Sequence, residues 1–327
     1  MSRELHWGII GVGVIANELA VAMKNHGRKP YAVWNRTYQK AVSYAEKYQI
    51  EQVYEQVEDL LTDENVDIVY VATVHNTHYE FIKQALLHGK HVLAEKAITL
   101  NSRELEELMT LAEEKQLILA EAMTIWHMPI YKNLWEMVKG GELGKANIIT
   151  MNFGCFKEYD MMNRFFNKEL AGGAMLDIGG YALSAMRGFL EETPNQIMSQ
   201  WEPAPSGVDE NAVILLKNPQ KQMATVSLSL HSKQPKRAMI SCDNGYIEIM
   251  EYPRADKAKI VNAVTGDVQE IEIGDKGDAL YYEIEDMEAA IQGGDVSIMH
   301  LDYSRDVMNI MTKLRKEWGV RYPGEDW

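Results

Sequence analysis

The sequence predicts an α/β protein: a doubly wound parallel sheet in the first part, then an α+β domain with a large, mostly antiparallel open sheet. Three observations carry this. Through about residue 122, short β-branched runs alternate with amphipathic stretches at the cadence of βαβ units, because each parallel strand needs a helical crossover. Beyond that point runs such as Ala224-Thr-Val-Ser-Leu-Ser-Leu-His231 alternate apolar and polar, as a sheet with one wet face should. The later connections also carry turn residues that tolerate positive φ. The predicted domains are 1–122 and 123–327.

In the first domain, strands are expected at Leu5–Ile10, Tyr31–Trp34, Asp67–Thr73, His91–Glu95 and Leu117–Glu121. Helices are expected at Ile15–His26, Tyr38–Tyr48, Thr77–His88 and Asn101–Lys115. Thr77 with Glu80 reads as a capping box, and Asn101 with Glu104 as a looser one. In the second domain, Asp243-Asn-Gly245 joins Ala238–Cys242 to Tyr246–Met250, and Thr265-Gly-Asp267 joins Lys259–Val264 to Val268–Ile273. Helices fall near Gly180–Leu190, Ala279–Gln292 and Tyr303–Trp318. An open antiparallel face without a covering helix is a natural surface for a homodimer or higher homo-oligomer.

The 327 residues are 46% hydrophobic and 25% charged, an ordinary globular composition that excludes disorder and collagen. With 33 Lys plus Arg against 48 Asp plus Glu, the formal charge of −15 argues against nucleic acid or an anionic membrane as partner. The acidity is regional. Glu51–Asp67 and Gly266–Asp295 hold most of it, whereas Leu19–Ala45 carries Lys24, Arg28, Lys29, Arg36 and Lys40 and no carboxylate. Two cysteines, Cys155 and Cys242, suit a reducing compartment. No leader is legible at the start and no apolar run approaches the roughly 20 residues that span a bilayer, so a cytoplasmic protein is expected.

Gly8-Ile-Ile-Gly11-Val-Gly13-Val-Ile-Ala16 follows the first strand and opens the first helix, the context in which a glycine pattern signals a dinucleotide. Gly11 permits the tight turn, Gly13 lets a pyrophosphate approach, and Ala16 allows close helix–strand packing. The amides at Val14 and Ile15 then face the phosphates. The plain alternative is a glycine turn without a ligand. At the end of the second strand an NAD site places a carboxylate on the ribose; here Asn35-Arg36-Thr37 stands instead. A guanidinium suits a 2′-phosphate, which favours NADP, with NAD as the alternative. Lys96 closes the strand Val92-Leu-Ala-Glu95, at the ligand-facing end of an open α/β sheet. Asp177 and Tyr181 stand four apart, on one face if a helix begins at Asp177; an N-cap role for Asp177 is the bland reading. His75 and His78 have no clustered metal-ligating partners, so no metal is expected.

These residues together resemble the Gfo/Idh/MocA oxidoreductases, in their dihydrodiol dehydrogenase and xylose dehydrogenase-like branch. The resemblance runs through the glycine turn, Val71-Ala-Thr73 with His78, Glu95-Lys96, Glu121-Ala-Met123 with Pro129, Arg164-Phe-Phe-Asn167, Gly172–Tyr181 and Trp318-Gly-Val-Arg-Tyr-Pro-Gly324. It implies hydride transfer between nicotinamide and a carbinol or carbonyl carbon of a sugar, polyol or dihydrodiol. Tyr181 would be the acid/base and Lys96 the ammonium that favours its phenolate, since a free phenol with pKa about 10 is a poor base. Asp177 would bind a substrate hydroxyl or steer Lys96. Thr73, Glu95 and Lys96 would line the cofactor groove, and His78 would reach toward the nicotinamide ribose.

The chain departs from the pattern at Ala97 and Val74, where prolines are usual, and at Thr124 and Trp126, where Trp and Arg are frequent. The first leaves open whether the bond after Lys96 is cis. The last points to an altered substrate pocket, which Trp126 could line with a flat stacking face. Two other readings stay open: a dinucleotide-binding regulator without the reaction, and a redox-neutral hydrolase that uses the cofactor transiently.

Overall fold

The computed structural model describes residues 4–326, which form two compact units. The first comprises the residues up to Ala122 together with Gly277–Leu301; the second comprises Met123–Lys276 and the residues from Asp302 onward. Among the described residues no helix is long and apolar enough to cross a membrane.

The first unit is a six-stranded parallel sheet: β1 (Trp7–Ile10), β2 (Ala32–Trp34), β3 (Gln52–Tyr54), β4 (Ile68–Val71), β5 (His91–Glu95) and β6 (Leu119–Ala122). The spatial order β3-β2-β1-β4-β5-β6 reverses beside β1, where the chain crosses from one side of the sheet to the other. β1 and β4 are buried at every position, as a strand covered on both faces must be. The expected helices form at Val14–Asn25, Tyr38–Tyr48, His78–Leu87 and Ser102–Lys115. Strand β3 and the helix Val57–Thr62 are additional; three and six residues are too few to show a period.

The two capping expectations part company. Asn101 accepts from the Glu104 amide at 3.0 Å while Glu104 accepts from the Leu100 amide, so that box forms. Thr77 instead donates to the Val74 carbonyl at 2.8 Å, with the Thr73 hydroxyl 2.7 Å away, and makes no side-chain cap.

The helix Ala279–Ile291 also departs from the sequence reading, which placed it in the second domain. Its Leu280, Ile284 and Met287 share one core with Leu19, Ala20 and Met23 of the helix Val14–Asn25. Glu288 accepts from Trp7 Nε1 at 2.7 Å and pairs with Arg28, and Tyr281 stacks on His26 at 3.6 Å. Nothing local in a sequence marks a helix that returns from residue 277 to complete a unit built from the first 122.

The second unit is an eight-stranded sheet: β7 (Ala146–Gly154), β8 (Gln196–Pro203), β9 (Asp209–Lys217), β10 (Met223–Ser229), β11 (Gln234–Cys242), β12 (Gly245–Met250), β13 (Lys257–Asn262) and β14 (Val268–Glu272). The order is β14-β13-β12-β11-β7-β10-β9-β8, antiparallel throughout except for the central β7–β10 pair. Both hairpins sit at the expected turns. Cys242 pairs with Gly245 across Asp243-Asn244, and Asn262 Oδ1 accepts from the amides of Val264 and Thr265 to close the second loop. Inward residues such as Ala224, Val226 and Leu228 alternate with half-exposed ones, so one face of the sheet is a core and the other faces outward.

Candidate active site

In the first unit, the turn after β1 is fixed by the backbone. Gly11 adopts φ +95°, and a Cβ there would lie 2.7 Å from the Ala72 carbonyl oxygen, so neither conformation nor space admits a side chain. Gly13 differs: its φ is −70°, it is exposed, and the nearest atom to an added Cβ would be 3.8 Å away. Gly13 heads the helix Val14–Asn25 with no side-chain cap and no carboxylate in the first turn. The amides there remain available to an anion. Val14 is 80% exposed, Ile15 half-buried, and Ala16 fully buried against Tyr44, whose hydroxyl donates to the Ala16 carbonyl at 2.6 Å.

Asn35 bridges this turn to the end of β2, accepting from the Val12 amide and donating to the Thr37 carbonyl. Arg36 and Thr37 are exposed beside it. Of the cations in 19–45, Arg28 pairs with Glu288 and Lys29 with Glu51, whereas among the described residues Lys24, Arg36 and Lys40 form no ion pair. Of these three, Arg36 and Lys40 follow the end of β2 and Lys24 lies in the last turn of the helix Val14–Asn25.

The loops after β4 and β5 are bound to each other. His78 is fully buried, with Nδ1 3.0 Å from the Ala97 carbonyl and Nε2 3.3 Å from the Thr73 carbonyl; burial holds its pKa below the ordinary value. This corrects the expectation for His78: it is fully buried with both nitrogens against backbone carbonyls, and the neutral ring, with one N–H, donates to one of them, which leaves no nitrogen to reach for a ribose. His75 Nε2 meets the Lys96 carbonyl at 3.1 Å. Ile98 donates its amide to Glu121 Oε1, and Tyr70 donates to the buried Glu95. The Lys96–Ala97 bond is cis despite the missing proline. Lys96 is half-buried at the end of β5.

In the second unit, Asp177 lies inside a π-helical turn, Met175–Gly179, that runs into the α-helix Gly180–Gly188 carrying Tyr181. Asp177 is therefore no N-cap, and the wide turn replaces the regular α-helical start the sequence suggested; such turns recur at functional sites. Its buried carboxylate pairs with Arg164 at 3.1 Å. Tyr181 is half-buried, with Phe153 at 6.2 Å between centroids. Trp126 is fully buried, edge-on to Tyr303 at 6.3 Å, and so presents no stacking face.

Residues the sequence did not single out hold this segment. Asp209 accepts from the Met175 amide at 2.5 Å, and Gly173, at φ +124°, passes so close that a Cβ would strike the Asp209 carboxylate. Tyr322 donates to the Gly172 carbonyl at 2.6 Å. Its own amide donates to Glu325, which Arg315 grips with both terminal nitrogens at 2.8 and 2.9 Å, and the guanidinium lies over the Tyr322 ring. Tyr322 belongs to a motif already noted; Asp209, one carboxylate at a strand start, gave no signal.

This geometry meets close counterparts among known proteins. Residues 5–123 match an oxidoreductase family with an NAD-binding Rossmann fold, and residues 131–248 match the GFO/IDH/MocA C-terminal domain. The first unit is thus an NAD(P)-binding Rossmann domain of the oxidoreductase class. More closely, the chain belongs to the Gfo/Idh/MocA oxidoreductase family. It is 28% identical over 331 residues, 97% of this chain and 99% of the relative, to trans-1,2-dihydrobenzene-1,2-diol dehydrogenase of Xenopus tropicalis. The human enzyme of that name is 26% identical over 333 residues, 98% of each chain. Among solved structures, a 3-ketoreductase from Actinomadura kijaniata in complex with NADP and TDP-benzene superposes with a TM-score of 0.83 at 21% identity, covering 96% and 98% of the two chains. UDP-N-acetylglucosamine 3-dehydrogenase from Acidithiobacillus ferrooxidans gives 0.82 at 19%, with the same coverage.

Asp209 provides a test by pH. Burial pushes its carboxyl up to about 6 from 3.8, outweighing the Met175 amide and Arg315, which favour the anion. The folded state therefore holds this proton where the unfolded chain has released it, and the contribution of this group to stability falls as pH rises through that window. Denaturant titrations of wild type and Asp209→Asn between pH 4 and about 7 are expected to show this decline in wild type and a flatter profile in the variant. Parallel profiles would remove Asp209 from the account.

Proposed function

We propose that the protein is an NADP-dependent dehydrogenase or reductase that moves a hydride between nicotinamide and a carbinol or carbonyl carbon of a sugar, polyol or dihydrodiol. The observation that carries it is Gly13: nothing in the chain itself calls for glycine there, while an exposed helix N-terminus does call for an anion. The dihydrodiol dehydrogenase relatives support the reaction class, and the NADP in the ketoreductase structure supports the cofactor. Gly11, Gly13, Val14, Ile15 and Ala16 would cradle the pyrophosphate, Asn35, Arg36 and Thr37 the adenosine phosphate, and Thr73, Glu95 and Lys96 the nicotinamide side. The nicotinamide, when bound, accepts or donates the hydride.

Tyr181 takes the acid/base role and Lys96 favours its phenolate. Asp177 orients a substrate hydroxyl or steers Lys96. A tyrosine and a lysine are also the residue types replaced in solved variants of the ketoreductase. Lys96 belongs to the first unit, Asp177 and Tyr181 to the second. Tyr181→Phe is expected to lower kcat by about a hundredfold or more while leaving NADP affinity within about twofold, read at 340 nm over a panel of sugars and polyols. Full turnover in that variant would remove the assignment. Reduction of NADP by no member of the panel would favour the regulator or hydrolase reading.

Arg36 decides the cofactor. Arg36→Ala should weaken NADP by about tenfold in calorimetry and leave NAD unchanged. Equal binding of NADP and NAD by wild type would refute the preference.

The functional unit is a homodimer through the second unit's sheet. Ile148, Met198, Val213, Leu215 and Met223 are between 43% and 70% exposed, and their registers place them on one face. Leu215→Glu is expected to yield a monomer in sedimentation velocity under conditions where wild type sediments as a dimer; a monomeric wild type would refute the surface.

A further inference from the structure

Beside Asp177 and Tyr181, three separate segments of the second unit deliver positive charge to one place. Arg164 comes from the loop before the π turn, Lys157 from the extension of β7, and Lys233 and Lys236 from the start of β11. Lys157 Nζ lies 4.1 Å from the centroid of the Phe165 ring, and the Arg164 guanidinium lies 4.2 Å from the same centroid. Lys236 Nζ lies 5.2 Å from the centroid of Phe153, the ring that packs against Tyr181. Gly154, one residue before Cys155, pairs with Gln234, and the Lys157 amide donates to the Leu230 carbonyl, so the extension of β7 runs beside the start of β11, where Lys233 and Lys236 lie.

Few carboxylates offset them. Arg164 neutralises Asp177 and Lys236 pairs with Glu251 at 3.3 Å, while among the described residues Lys157 and Lys233 form no ion pair. Local excess positive charge in a chain of net charge −15 has no solubility role, since the surface is already strongly charged with the opposite sign. Aromatic faces hold Lys157, Arg164 and Lys236 in place, which lowers the entropy lost when they close on a ligand. Lys236 sits in a register shift between Gln234 and Arg237, a break in pairing of the kind that re-aims a side chain next to active sites.

We propose that this cluster receives an anionic group, a phosphate or carboxylate, carried by the substrate. The proposal rests on the reading of Asp177 and Tyr181 as the reacting end, and it separates phosphorylated or acidic sugars from neutral sugars and diols. The anion would sit toward Phe165 and Phe153, one ring away from Tyr181.

The test titrates NADP-saturated protein with matched pairs by calorimetry: D-glucose 6-phosphate and UDP-glucose against D-glucose, and D-glucuronate against D-glucuronamide. Saturating NADP keeps the phosphates out of the dinucleotide cradle. An anionic member is expected to bind at least about tenfold more tightly than its neutral partner, and this advantage should vanish in Lys157→Ala/Lys236→Ala, with NADP affinity unchanged as the measure of intact fold. The phosphate and carboxylate arms distinguish the two groups. An anionic preference that survives the double variant, or none in any pair, overturns the proposal. Absorbance at 340 nm is followed in the same samples: turnover without anionic preference leaves the oxidoreductase reading standing alone, and anionic preference without turnover leaves the cluster standing alone.

Discussion

Arg315 and Glu325 form an ion pair with no exposed side-chain surface, and the second unit depends on it. Removing two charges from water costs several kcal/mol each, so such a pair is poor evidence of stability in itself. What it supplies is position. Each end of the pair is committed: Arg315 to Glu325 and the Tyr322 ring, Glu325 to the Tyr322 amide, and Tyr322 in turn to the Gly172 carbonyl. Asp209 closes the other side on Met175. Between these two anchors lie the glycines that let the chain turn sharply into Asp177 and Tyr181. A segment with this much glycine has high conformational entropy, and buried polar contacts at both ends restrict it.

The first unit solves the same problem with backbone carbonyls. His78, His75 and Glu121 hold the loop after β5 by its peptide groups, so Lys96 leaves a scaffold that is rigid on both sides. The glycine turn is held by Asn35 and by the close approach to Ala72. In both units the candidate residues stand on backbone that other side chains hold, and of those His78, Glu121, Asp209, Arg315 and Glu325 are buried.

That division explains what could be read from the sequence. The parallel sheet, the helix Tyr38–Tyr48, the Asn101 cap and the Asp243-Asn244 hairpin rest on local period and turn chemistry, and all were legible. The glycine turn and the order Lys96, Asp177, Tyr181 were legible as motifs. The three-residue strand β3 carries no period, and β7 depends on pairing partners far along the chain, β10 and β11. Glu288 at Trp7, Asp209 at Met175 and Glu325 at Arg315 are long- or medium-range contacts whose sequence neighbourhoods look like ordinary surface. His78 was hard to read for a related reason: a histidine beside a strand end resembles a ligand-facing group until both its nitrogens are seen to face backbone.

The return of Ala279–Ile291 to the first unit has a further consequence for how the chain comes into being. The residues up to Ala122 emerge first during synthesis, yet their core is closed by Leu280, Ile284 and Met287, which emerge more than half the chain later. The second unit is made in between and awaits Arg315, Tyr322 and Glu325. Neither unit can be finished before the other is nearly complete, so vectorial folding one domain at a time is not open to this protein. The nucleotide cradle and the tyrosine segment thereby mature together, and a nascent chain is a poor cofactor trap until almost all of it has been made.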